Sequence, residues 1–85
     1  MQNLLSYRSL TYAQRASRIL ERAGLTGTVT RMPKSISEKG CGYALIVRPR
    51  DLDRILSLLK NNGLRPERIY DRVNGELQEA SYDLS

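Results

Sequence analysis

The segment that decides the fold is 43–64, YALIVRPRDLDRILSLLKNNGL, which changes from a strand pattern to a helix pattern at Pro49. Residues 43–48 are largely apolar, with β-branched and aromatic side chains that favour a strand. Proline suits the first turn of a helix, where its missing N–H would have no partner. The leucines and isoleucine that follow form a broad apolar face, and Gly63 ends the helix. The segment therefore predicts a strand followed directly by an amphipathic helix.

The first half of the chain has the same order of elements. Residues 3–8 predict a strand, and Ser9 or Thr11 can cap the helix that follows. Apolar residues then recur every three to four positions until Gly24, which ends this helix. The threonines and valine of 26–31 favour another strand. Because both helices close on Gly-Leu, the two halves are expected to be similar β-α-β units.

The end of the chain supplies a final strand. Residues 68–73 alternate between apolar and polar side chains, and Asn74-Gly75 is a strong signal for a tight turn. The order β-α-β-β-α-β predicts an α+β, ferredoxin-like sandwich with two helices on one face of an antiparallel sheet. We predict a single ferredoxin-like domain over 1–73. The remainder, 74–85, is expected to be a C-terminal tail or an extra edge strand.

Composition narrows the function classes. The chain has 85 residues, enough for one modest core, and its longest apolar run, 43–47, is far shorter than the roughly 20 residues of a membrane-spanning helix. With no recognisable signal peptide and a single cysteine, we expect a cytoplasmic protein. The absence of histidine removes the usual general base and zinc ligand, so neither a metal nor another cofactor is predicted.

The excess of basic residues has two interpretations. The net charge is +5, which either favours anionic partners or simply keeps the chain soluble. Arg15, Arg18 and Arg22 recur every three or four residues of the first predicted helix. They are interpreted as a solvated helix face.

The cysteine lies in an unusual setting, KGCGY at 39–43, at the start of the most strand-like segment. Gly40 and Gly42 would allow positive φ angles and leave the thiol of Cys41 uncovered. Lys34 and Lys39 belong to the same predicted loop, and neighbouring cations increase the reactive thiolate fraction. Cys41 is therefore a candidate nucleophile. The alternative is a structural cysteine buried at a strand end.

Two other function classes share this topology. RNA recognition motifs carry K/R-G-F/Y-G/A-F-V-x-F/Y on their third strand, and 39–46, KGCGYALI, fits four of the eight positions. Cys41 and Ile46 replace two of the rings that stack on bases, which weighs against nucleic acid as a partner. The third class is a regulatory or homo-oligomeric module that uses the sheet as a protein interface.

Motifs around the cysteine resemble the Se/S carrier protein-like family of small bacterial domains over about residues 4–72. The resemblance rests on Tyr7-Arg8-Ser9, Pro33-Lys34, Ile36-Ser37, Cys41-Gly42 followed by Tyr43-Ala44-Leu45, and the helix at 51–64. It implies a carrier, rather than an enzyme, whose cysteine holds sulfur or selenium as a persulfide or selenopersulfide. A donor protein would load Cys41 and an acceptor protein would unload it. The implied binding residues are Gly40, Gly42, Lys34, Lys39 and Ser37.

Overall fold

The computed structural model describes residues 2–33 and 42–80. Within these ranges the strands form one antiparallel sheet in the order β2-β3-β1-β4-β5, with two helices. The elements are β1 (Gln2–Tyr7), α1 (Leu10–Arg22), β2 (Thr28–Arg31), β3 (Tyr43–Val47), a 3₁₀ turn (Pro49–Asp51), α2 (Leu52–Asn61), β4 (Arg68–Val73) and β5 (Glu76–Glu79). The α+β fold prediction is confirmed, with β5 as the extra edge strand. Neither described helix is long and apolar enough to cross a membrane.

Local signals in the sequence set the ends of both helices. The Ser9 hydroxyl accepts a hydrogen bond from the Thr11 N–H at 3.1 Å and so caps α1. Gly24 and Gly63 follow the helices at φ of +76° and +70°. The next residue in each case, a leucine, donates its N–H to a helix carbonyl five residues back, at 2.8 and 2.9 Å. The segments LERAGL (20–25) and LKNNGL (59–64) therefore form the same C-terminal motif, so the two helices end in the same way.

The core lies between the helices and one face of the sheet. Alternation along β1 turns Leu5 and Tyr7 toward the helices, where they pack with buried residues of every neighbouring element. The largest fully buried residues of this core are Leu5, Leu20, Leu45, Ile55, Leu59 and Ile69. A second buried cluster on the opposite face contains Leu4, Met32, Ala44 and Tyr70. The central strand is therefore buried on both faces.

Two polar side chains are buried in the central strand. Asn3 donates from Nδ2 to Asp71 Oδ1, its register partner in β4. Ser6 donates from Oγ to the backbone carbonyl of Arg68 at 3.1 Å. Buried polar groups need hydrogen-bond partners, so both contacts favour one register between β1 and β4.

Candidate functional site

Of the six site residues predicted from the sequence, Gly42 lies within the described part of the chain. The other five lie outside the described residues: Lys34, Ser37, Lys39, Gly40 and Cys41. The structure describes the residues on either side of them, where the chain leaves β2 and enters β3.

The end of β2 and the start of β3 lie at one end of the sheet, which we call the loop end. Arg31 and Tyr43 form the last register pair of β2 and β3. One step further out, the Met32 N–H donates to the Gly42 carbonyl at 3.1 Å. Gly42 is bonded covalently to Cys41, so the backbone immediately after the cysteine is held by a hydrogen bond at the sheet's end.

Gly42 is the sequence-predicted site residue whose backbone the structure describes. The described glycines with positive φ are Gly24, Gly63 and Gly75, and Gly42 is not among them. A Cβ added at Gly42 would meet no atom within 4 Å. The positive φ that glycine allows is therefore not used at this position, and the Gly42 carbonyl instead extends the hydrogen bonding between β2 and β3 by one step. What glycine provides here is open space.

This difference predicts unequal effects of two glycine substitutions. Gly63→Ala should lower the free energy of unfolding by about 1 kcal/mol, because a Cβ is disfavoured at φ of +70°. Gly42→Ala should change it by less than about 0.5 kcal/mol, as is usual for unstrained, open positions. Urea denaturation followed by circular dichroism measures both. A loss at Gly42 equal to that at Gly63 would contradict the described geometry.

The end of β1 meets the start of β3 at the loop end. Tyr7 and Tyr43 are register partners, although 36 positions separate them in the sequence. Ser9 caps α1 just beyond, so the helix begins at the same end, and its first turn contains no acidic residue. Since a helix N-terminus carries partial positive charge, the local field favours anions. Two segments of the family pattern, Tyr7-Arg8-Ser9 and Gly42-Tyr43, are thus brought together.

Tyr7 ties this end of the sheet to the loop after α2. Its side chain is buried, and its hydroxyl donates to the backbone carbonyl of Leu64. Burial raises the pKa of Tyr7 well above its usual value, so the hydroxyl remains a neutral donor. Sequence alone did not identify this role, because the partner is a backbone atom 57 positions away.

A cleft of about 360 Å³ opens at the loop end, beside the hydrogen bond from Tyr7 to Leu64. Tyr7, Arg8, Tyr12, Gly63, Leu64, Arg65 and Glu67 line it. Arg8 Nε lies 3.8 Å from Glu67 Oε1, and both side chains are largely exposed, so their attraction is weak. The cleft is polar at its rim. Among the described residues, no group of three or more histidine, cysteine, aspartate or glutamate side chains could hold a metal ion.

The helix-free face of the sheet lacks an RNA-binding platform within the described residues. Tyr70 belongs to the cluster on that face and is 3 % exposed. Tyr7 and Tyr43 pack into the cluster on the helix side. Stacking on bases needs exposed rings, so the described part of this face offers no support for the RNA-binding alternative.

Comparison with known families agrees with the residue pattern. The model of the family described as "Putative Se/S carrier protein-like" matches residues 2–71, from the start of β1 into β4. No curated protein and no solved structure matches the chain. Because the family match covers most of the 85 residues, the chain belongs to the Se/S carrier protein-like family.

Proposed function

We propose that the protein carries sulfur or selenium on Cys41, as a persulfide or selenopersulfide, between a donor and an acceptor protein. Membership of the family supports the general role. The observation that carries the proposal is the Tyr7–Tyr43 register pair, which joins two segments of the family pattern beside Gly42. Gly42 is the covalent neighbour of the only cysteine in the chain. The proposed cytoplasmic location would keep that thiol reduced before loading.

Loading is a simple exchange between sulfur atoms. The Cys41 thiolate attacks the outer sulfur of a donor persulfide, R–S–SH, and a bond forms from Cys41 Sγ to that sulfur. The donor's S–S bond breaks, and the donor leaves as the thiolate R–S⁻ while the transferred sulfur keeps its proton. No external oxidant is consumed. A donor of the form R–S–SeH loads selenium in the same way, and attack by an acceptor thiolate reverses the process.

Neighbouring residues have separate roles in this proposal. Lys34 and Lys39 would favour the thiolate and the loaded anion through their positive charge. Ser37 would donate a hydrogen bond to the same anion. Gly40 and Gly42 leave the sulfur accessible to another protein. The space around Gly42, with no atom within 4 Å of an added Cβ, supports the last role.

Intact-mass spectrometry tests the proposal directly. After incubation with glutathione persulfide or its selenium analogue, the wild-type chain should gain one sulfur or one selenium atom. Cys41→Ser should gain none, and a thiol acceptor should remove the atom from the loaded wild type. Lys34→Gln/Lys39→Gln should load more slowly, since the thiolate fraction falls.

Two results would contradict it. One is the absence of any adduct on the wild type, and the other is an equal adduct on Cys41→Ser. Reaction with iodoacetamide provides a control for access to the thiol. If Cys41 reacts only in denaturant, the cysteine is structural and the carrier proposal is wrong.

A further inference from the structure

A groove beside α1 combines arginines with an apolar floor. Its volume is about 410 Å³, and we call it the arginine groove; its lining residues are Tyr12, Arg15, Arg18, Ile19, Arg22, Asn62, Gly63 and Leu64. It adjoins the cleft at the loop end, since both include Tyr12, Gly63 and Leu64. The groove therefore begins at the end of the sheet where Gly42 lies and follows α1 away from it.

The charge arrangement on α1 is unfavourable for the helix itself. Arg15, Arg18 and Arg22 are exposed and follow one another at spacings of three and four residues, which brings like charges together. Within the described part of the chain, none of the three forms an ion pair or a hydrogen bond through its side chain. Glu21, the acidic residue of α1, does not pair with them either. The three guanidinium groups are left available to an external anion.

The floor of the groove is apolar. Ile19 is partly buried against the core, and Leu64 is 7 % exposed. Tyr12 stands at the loop end of the groove and is 51 % exposed, which is high for a large aromatic side chain. An apolar floor with a cationic rim matches an amphipathic peptide, whose apolar side chains enter the floor while its carboxylates pair with arginines.

We propose that the arginine groove binds an acidic, amphipathic segment of a partner protein. Arginine forks pair with carboxylates in a bidentate geometry, which suits this rim. A single-stranded nucleic acid would instead need several stacking rings, and among the described groove residues Tyr12 is the one aromatic side chain. The identification of this partner as a sulfur or selenium donor or acceptor rests on the proposed function. The binding of an acidic segment does not.

Two charge-matched variants test the groove. Arg15→Gln/Arg18→Gln/Arg22→Gln removes the rim, and Arg48→Gln/Arg50→Gln/Arg54→Gln removes three exposed arginines elsewhere. Each lowers the net charge by three, from +5 to +2. Because all six side chains are exposed, both variants should fold, and circular dichroism confirms that before binding is measured.

The probe is a displayed library of random peptides, selected on the wild-type chain. We expect the selected peptides to be rich in aspartate and glutamate around an apolar residue. By fluorescence anisotropy, their affinity should fall roughly tenfold or more for the groove variant and less than about twofold for the control. Salt should weaken binding to the wild type.

Several outcomes would overturn the proposal: no selected peptides, peptides without an acidic bias, or equal losses in both variants. Tighter binding of an oligouridine RNA, lost in the groove variant alone, would assign the groove to nucleic acid instead. Repeating the peptide measurement with Cys41→Ser separates the two proposals. That variant should bind peptides as the wild type does, so a failure of loading and a failure of docking are distinguishable.

Discussion

Replacing Leu5 with alanine is expected to lower the free energy of unfolding by about 2–5 kcal/mol. Leu5 is fully buried on the central strand, with Leu45 and Ile69 as its register partners on either side. Those neighbours are fixed by strand pairing, so the cavity cannot collapse readily. Small domains are stable by only about 5–15 kcal/mol, so a loss of this size would remove a large share of the total stability.

Urea denaturation followed by circular dichroism measures this loss. The matched control is Leu10→Ala at the start of α1, where the leucine is 40 % exposed. The control should change the free energy of unfolding by less than about 0.5 kcal/mol. Similar losses for the two variants would contradict the assignment of Leu5 to the centre of the core.

Tyr7 and Tyr70, the tyrosines that are buried in the described part of the chain, are expected to respond in opposite directions to the loss of a hydroxyl. Tyr7→Phe should lower the free energy of unfolding by about 1–3 kcal/mol, because the buried Leu64 carbonyl loses its donor. Tyr70→Phe should raise it by roughly 1 kcal/mol, because the buried Tyr70 hydroxyl has no hydrogen-bond partner among the described residues. The two variants remove the same atom, so each serves as the control for the other. Destabilisation of equal size in both would contradict the described hydrogen bonding.

Burial of the Tyr7 hydroxyl also predicts that the folded chain becomes less stable at alkaline pH. An unfolded tyrosine has a pKa near 10, and burial raises the pKa of Tyr7 in the folded chain above that value. Above about pH 10 the unfolded chain releases this proton while the folded chain keeps it, so stability falls as pH rises. Below that pH the contribution is fully present. Denaturation midpoints at neutral and alkaline pH should show a smaller drop for Tyr7→Phe than for the wild type.

Most of the fold was readable from local signals. The strand predicted over 43–48 is β3, and the glycines that follow both helices take the left-handed conformations that the sequence favoured. Strand β2 is shorter than the predicted 26–31 for a reason that only packing reveals. The Gly27 carbonyl accepts a hydrogen bond from Ser17 Oγ at 2.7 Å, and an added Cβ would lie 2.7 Å from Leu20 Cδ1. The chain passes too close to α1 there to join the sheet.

Part of the candidate site was predictable from local sequence, and part of it depends on the three-dimensional structure. Cys41 stays a prediction that rests on its own neighbours in the sequence, since it lies outside the described residues. The meeting of Tyr7 with Tyr43 depends on strand register, which a single sequence does not specify. The spacing of Arg15, Arg18 and Arg22 indicated one solvated helix face. The groove beneath them exists because the end of α2 packs beside α1, and that arrangement is set by the core.

Strand β5 has a consequence for how copies of this chain behave when crowded. The turn at Asn74 and Gly75, with φ of +53° and +82°, folds β5 onto β4 and occupies the backbone donors and acceptors along that strand. The sheet now ends in a four-residue strand, ELQE, with a carboxylate at each end. Short, charged edges pair poorly with a neighbouring chain. The C-terminal hairpin therefore protects the domain from strand-to-strand aggregation along the side that β4 would otherwise expose.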